Sequence, residues 1–132
     1  MPRVVWPLLR GRPRVEIVLS AVGGSRQITH DLLADSGAGS DQSIFELVLD
    51  ENDCLICGGR FEQTVQVTGA FSGSFRVFRV RVQIPQLQFS RSIRAIGVPT
   101  MLAGFDGIAC FRFLNRFTYG NFGDSNQFGL EI

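Results

Sequence analysis

The chain lacks lysine altogether: all 13 of its basic side chains are arginine, and no functional conclusion attaches to that choice. It also lacks a surplus of either charge. With 12 acidic residues and a formal net charge of +1, electrostatics gives no argument for a nucleic-acid partner. No run approaches the roughly 18 to 20 continuous apolar residues of a membrane-spanning helix, so no membrane partner is expected. The N-terminal "MPRVVWPLLRGRPRVEI" has an apolar run too short, and too broken by Pro7 and Arg10, for a signal peptide. Cysteine is scarce and odd in number, three in all. Without a secretory signal, that count points to free thiols in a reducing cytoplasm.

What remains is a chain of 132 residues, 45% apolar and 19% charged, which is the composition of one globular domain over residues 1–132 with a real core. Strand signals dominate it. In "RVEIVLSAV" (14–22), Val15, Ile17 and Leu19 alternate with Arg14, Glu16, Val18 and Ser20, the period-2 pattern of a strand with one buried face. Gly23-Gly24 marks a hairpin turn, and "RQITHDLLAD" reads as the return strand. "IFELVLDEN" (44–52) is short enough for either a strand or a helical turn. "FEQTVQVTGAFSGSFRVFRVRVQIP" (61–85) reads as a long hairpin with "TGAFSGS" at its tip, and "SIRAIGVP" (92–99) as a further strand. One helical stripe is visible, with Ile108, Phe111, Leu114 and Phe117 at steps of three. A Gly-Asp-Ser-Asn turn then leads into a short C-terminal strand. The expectation is an all-β domain with one short helix near its end.

Within this frame "LLADSGAGSD" (32–41) poses the functional question. A carboxylate, Asp35, follows a buried-looking strand and precedes Ser36, Gly37, Ala38 and Gly39. One reading is a plain strand-to-turn exit, since Asp, Ser and Gly each suit turn geometry. The other is a carboxylate held in a tight loop that lets a second backbone or a substrate come close.

Four stretches in this order resemble the retropepsin-like aspartic peptidases, the single-domain fold of retroviral proteases and their bacterial relatives. "LLADSGA" resembles the apolar-apolar-x-Asp-Thr/Ser-Gly-Ala signature, "VTGAFSGSF" the Gly-rich tip of a flap hairpin, "FDGIACFRFLNRF" the apolar-apolar-Gly segment with its helix, and "NQFGLEI" the terminal strand. Together they span about residues 14–132. The resemblance implies an acid-protease fold, a β-barrel with a flap hairpin, and an aspartic endopeptidase that acts on polypeptides without cofactor or metal. Asp35 would be the catalytic residue, Ser36, Gly37 and Ala38 the active-site loop, and Gly69, Ala70, Phe71 and Gly73 the flap that meets substrate. It also implies a homodimer, because one chain carries one such Asp and the chemistry needs two carboxylates side by side. Such a pair holds one shared proton. One oxygen acts as general base on a water while the protonated one donates to the scissile carbonyl. By the same resemblance Ser36 crosses the dimer axis to the partner loop, and Gly37 leaves its N–H free to approach a carboxylate oxygen. The C-terminal strand, Phe128 to Ile132, would join the interface as an otherwise unpaired edge.

The pattern departs from the family where Ile108-Ala109-Cys110 stands for apolar-apolar-Gly, putting a cysteine in place of the glycine. Using Leu102-Ala103-Gly104 restores the glycine but inserts residues before the helix. Residues 41–60 form a longer segment than in retroviral enzymes and carry "CLIC". Cys54 and Cys57 stand at a zinc- or redox-like spacing and make half a tetrahedral zinc site, with His30 and Cys110 the only other soft ligands; a zinc- or redox-regulated version of the enzyme would use this pair. The plainer reading leaves them in a loop or short element with Leu55 and Ile56 packed inward. His30 and Asp31 read as a strand-end pair at the surface, Asp41 as a solvated loop or cap residue, and Asp106 as a turn residue. Phe71 and Phe75 either close over a substrate or are plain hairpin aromatics. A different class of function fits the same residues: a catalytically inactive dimeric module that binds a peptide or protein partner.

Overall fold

The alternation in residues 14–20 becomes a strand whose Val15, Ile17 and Leu19 are fully buried. The computed structural model describes residues 2–24, 26–69, 72–99 and 101–132. In chain order its elements are β1 (Arg3–Pro7), β2 (Arg14–Ser20), β3 (Gln27–Ala34), β4 (Leu47–Asp50), α1 (Glu51–Gly58), β5 (Phe61–Val67), β6 (Gly73–Ile84), β7 (Phe89–Val98), β8 (Gly107–Ala109), α2 (Phe111–Leu114), β9 (Thr118–Gly120) and β10 (Gln127–Glu131). The chain is all-β, and six of the strands close into a barrel in the order β2-β3-β8-β4-β7-β6. Closure comes from β6 returning to β2, with Val18 opposite Gln83 and Leu19 opposite Val82. Among the described residues strand β5 pairs only with β6, so it lies outside the closed ring, and the β6 residues Gly73–Phe75 that pair with it extend past the β6–β7 pairing. Among the described residues no helix is long and apolar enough to cross a membrane.

The consecutive apolar runs have a single physical cause. In β3, Leu32 and Ala34 point into the main core while Leu33 joins a second buried cluster. In β4, Leu47 and Leu49 face the main core and Val48 the second cluster. Ala109 and Ile108 of β8 divide in the same way. Strands buried on both faces read as unbroken apolar runs instead of alternating ones. The parallel pairing of β3 with β8 and of β4 with β7, around the antiparallel β4–β8 contact, packs these short strands tightly. Gly107 is the residue this packing demands. A Cβ there would lie 2.5 Å from the Val48 carbonyl oxygen and 2.8 Å from methyls of Leu32 and Leu49.

Several expectations need correction. The C-terminal strand is no open edge: β10 lies between β1 and β9 in a three-stranded sheet, with Val4 opposite Leu130 and Trp6 opposite Phe128. The edge argument for its role in an interface therefore falls. The fold has a second helix beside the short one near the end. Residues 44–52 hold both of the forms weighed for them, since β4 ends at Asp50 and α1 starts at Glu51. The Asp50 carboxylate caps α1 by accepting from the Asn52 N–H at 2.9 Å. On α1 the cysteines face inward, whereas Leu55 and Ile56 are 43% and 40% exposed. The stripe from Ile108 to Phe117 yields only the four residues of α2, because Ile108 is drawn into β8 by pairing with Leu33 and Val48.

Candidate functional site

Asp35 is the first residue after β3, and backbone bonds hold its loop from both sides. Its N–H donates to the Ala109 carbonyl at 2.9 Å, the Ala38 N–H donates back to the Asp35 carbonyl at 3.1 Å, and the Ala38 carbonyl accepts from the Phe111 N–H at 2.9 Å. The loop is thereby fastened to the junction of β8 and α2. Inside it, the Gly37 N–H donates to Asp35 Oδ1 at 3.0 Å. A Cβ on residue 37 would lie 3.3 Å from that same oxygen, so the glycine gives the carboxylate room as well as a donor. Gly39 has φ +74°, a left-handed conformation that favours glycine, and a Cβ there would lie 2.7 Å from Ser43 Oγ. Ser36 is exposed and Ala38 half-buried.

The loop opens onto a pocket of about 240 Å³. Asp35, Gly37 and Ala38 contribute one part of its lining, and Val67, Thr68 and Gly69 at the end of β5 another. Val48, Ile96, Ile108 and Cys110 of the second apolar cluster complete it, together with Phe45. Among the described lining residues Asp35 is the only carboxylate. The structure thus brings the Asp35 loop and Gly69 of the expected flap to one cavity. Gly73 is exposed at the start of β6, and Phe75 is half-buried against the second cluster. Ala70 and Phe71 lie outside the described residues.

Cys110 directly precedes α2 and is 1% exposed. Burial pushes its thiol up to about 12, with the Asp35 and Glu46 charges adding to the effect, so it packs as a neutral apolar group. The segment beside Asp35 is Ile108-Ala109-Cys110, whereas Leu102, Ala103 and Gly104 sit in an exposed turn. All three cysteines are free and buried. Burial also raises the Cys54 thiol to about 12, with Asp53 the next cause. Among the described residues no group of three or more His, Cys, Asp or Glu side chains gathers as a metal site.

His30 is buried, contrary to the surface placement expected for it. Its Nδ1 lies 3.0 Å from the Thr29 carbonyl and its Nε2 2.9 Å from Asp53 Oδ2, which ties β3 to α1. Burial works to lower its pKa, but the Thr29 carbonyl and the Asp53 carboxylate outweigh it and leave the value raised. Asp31 pairs with Arg14 at 3.0 Å. Asp106 accepts from the Asp31 N–H at 2.9 Å, closing the turn before β8. Asp41 is exposed in the loop.

Sequence reasoning missed Glu46, a buried carboxylate beneath the site. Arg116 grips both of its oxygens, at 2.6 and 2.8 Å, and this bond holds the Arg116 guanidinium above its usual value. The Glu46 carbonyl in turn accepts from the Cys110 N–H at 3.0 Å. The available signal was a lone glutamate inside the apolar run "IFELVL", which needs a cationic partner if that run is buried. Comparison with protein-family models, with curated proteins and with solved structures gives no match.

Proposed function

We propose that this chain is an aspartic endopeptidase of the retropepsin-like kind, hydrolysing peptide bonds as a homodimer with one catalytic Asp35 per protomer. The observation that carries this reading is the pocket in which Asp35, with the Gly37 N–H on its carboxylate, faces residues 67–69 of the β5–β6 hairpin. A carboxylate on a tight small-residue loop beside a hairpin suits an extended peptide, whose main chain takes β-type hydrogen bonds while its side chains enter apolar space. One carboxylate alone cannot act as base and acid at once, so the second comes from the partner's copy of the loop. The exposed Ser36 and Gly37 are the residues to meet there. The shared proton then divides the roles: one oxygen activates water and the other donates to the carbonyl.

The second reading, an inactive dimeric peptide- or protein-binding module, is favoured by Cys110, which fills the space where the family has a glycine beneath the loop. Incubation with a peptide library at several pH values, comparing the chain with Asp35→Ala, separates the two. The enzyme reading expects cleavage that Asp35→Ala abolishes. Absence of cleavage by the unaltered dimer across the library would leave the binding module.

A further inference from the structure

Four arginines line a second pocket that meets the Asp35 pocket at residues 44–46 but shares no lining residue with it. Phe45 lines the Asp35 pocket, while its neighbours Ile44 and Glu46 line the second, polar one of about 150 Å³. Arg79 of β6, Arg94 of β7, Arg112 of α2 and Arg116 just beyond it line this second pocket, together with Ser92. Their charges are only half balanced. Glu46 engages Arg116 through both oxygens, at 2.6 and 2.8 Å. Glu62 accepts from Nε of Arg79 at 2.9 Å and from Nε of Arg94 at 3.2 Å. Arg112 donates through Nη1 to the Ser43 carbonyl, which carries no charge. Four cations against two carboxylates leave a surplus of two positive charges in a small space, where their repulsion favours an anion.

We propose that this pocket binds a phosphate-class dianion, either inorganic phosphate or the phosphoryl group of a monoester. The charge surplus matches two negative charges, whereas a monocarboxylate supplies one. Glu62 takes the Nε donors of Arg79 and Arg94, which leaves their terminal Nη donors for a ligand, and planar guanidinium forks suit the oxygens of a tetrahedral oxyanion. Size restricts the ligand further. The volume is well below the roughly 300 to 1,000 Å³ of pockets that enclose drug-sized molecules, so it takes the phosphoryl group and leaves any attached moiety outside. None of its lining residues is shared with the Asp35 pocket.

Isothermal titration at fixed ionic strength tests this, using inorganic phosphate, phenyl phosphate and acetate as probes against the unaltered chain, Arg112→Gln and Arg94→Gln. The expected result is saturable binding of one phosphate per chain, with acetate weaker by about tenfold or more, and each Gln variant weakened by about tenfold. Binding of both phosphates places the site open to monoesters, and binding of inorganic phosphate alone restricts it to the free ion; either supports the proposal. If Arg112→Gln does not fold, Arg94→Gln carries the test, since its side chain is 39% exposed. The proposal is overturned if neither phosphate binds saturably up to about 10 mM, if acetate binds as tightly, or if the folded variants bind phosphate unchanged.

Discussion

At the scale of single residues Asp35 is held at two points, its carboxylate by the Gly37 N–H and its own N–H by the Ala109 carbonyl. Asp35→Asn is expected to abolish peptide cleavage while leaving the fold intact, because the amide is isosteric and the loop's backbone bonds to Ala109 and Phe111 survive. Circular dichroism and a cleavage assay on the same sample check both halves. Gly107 carries a structural prediction at the same scale. Gly107→Ala drives a methyl against the Val48 carbonyl and two leucines, so urea denaturation should show a loss of about 1–3 kcal/mol. The thiols carry a chemical one. With Cys54 and Cys110 both pushed up to about 12, the thiolate fraction at pH 8 is about one in ten thousand. Both should resist iodoacetamide in the native protein and react once it is unfolded. Within the small-residue loop Gly37 and Gly39 were legible in the sequence, because a side chain at either would crowd Asp35 Oδ1 or Ser43 Oγ. Glu46 was less legible, since its partner Arg116 lies 70 positions away and only the fold joins them.

Among the elements, the long hairpin and the β2–β3 pair were readable because their alternation is local and their turns are rich in glycine. Helix α1 was not, because its inward face is made of Cys54 and Cys57 while Leu55 and Ile56 point outward, which inverts the pattern that hydrophobicity alone suggests. What docks this helix on the barrel is the bond from His30 to Asp53 together with the buried cysteines. Both ring nitrogens of His30 face acceptors, the Thr29 carbonyl and the Asp53 carboxylate, so the charged imidazolium is the form that satisfies the site. Its pKa is raised in the folded state. The stabilisation is therefore complete below the unfolded value of about 6.5 and is lost as pH rises through the higher native value. Asp53→Asn should destabilise the protein by about 1 kcal/mol near pH 5.5, with the difference shrinking towards pH 9. Urea midpoints at the two pH values measure it, and a difference that does not change with pH would remove the charged pair from the account.

For the molecule as a whole, the all-β class and a barrel were both legible, the barrel through the resemblance, whereas the strands that close it were not. Short apolar runs such as "LLA" and "LVL" announce strands, yet nothing local says that they are buried on both faces or that β6 returns to β2 to complete a barrel. The terminal strands were misjudged for a similar reason: β1 covers β10 within the chain, and that pairing spans almost its full length. A dimer that joins two Asp35 loops must accordingly use the exposed Ser36 and Gly37 and the surface around them, with no help from an unpaired C-terminal edge. The most direct test of the central claim, that catalysis needs one Asp35 from each of two protomers, is to mix the unaltered chain with increasing Asp35→Asn chain, let the subunits exchange, and measure peptide cleavage per unaltered chain. Random pairing predicts a fall to about half at an equal mixture and to about one tenth at a ninefold excess of the variant, since mixed dimers hold a single carboxylate. Cleavage that stays constant per unaltered chain, whatever the excess, would show that one protomer suffices and would contradict the account.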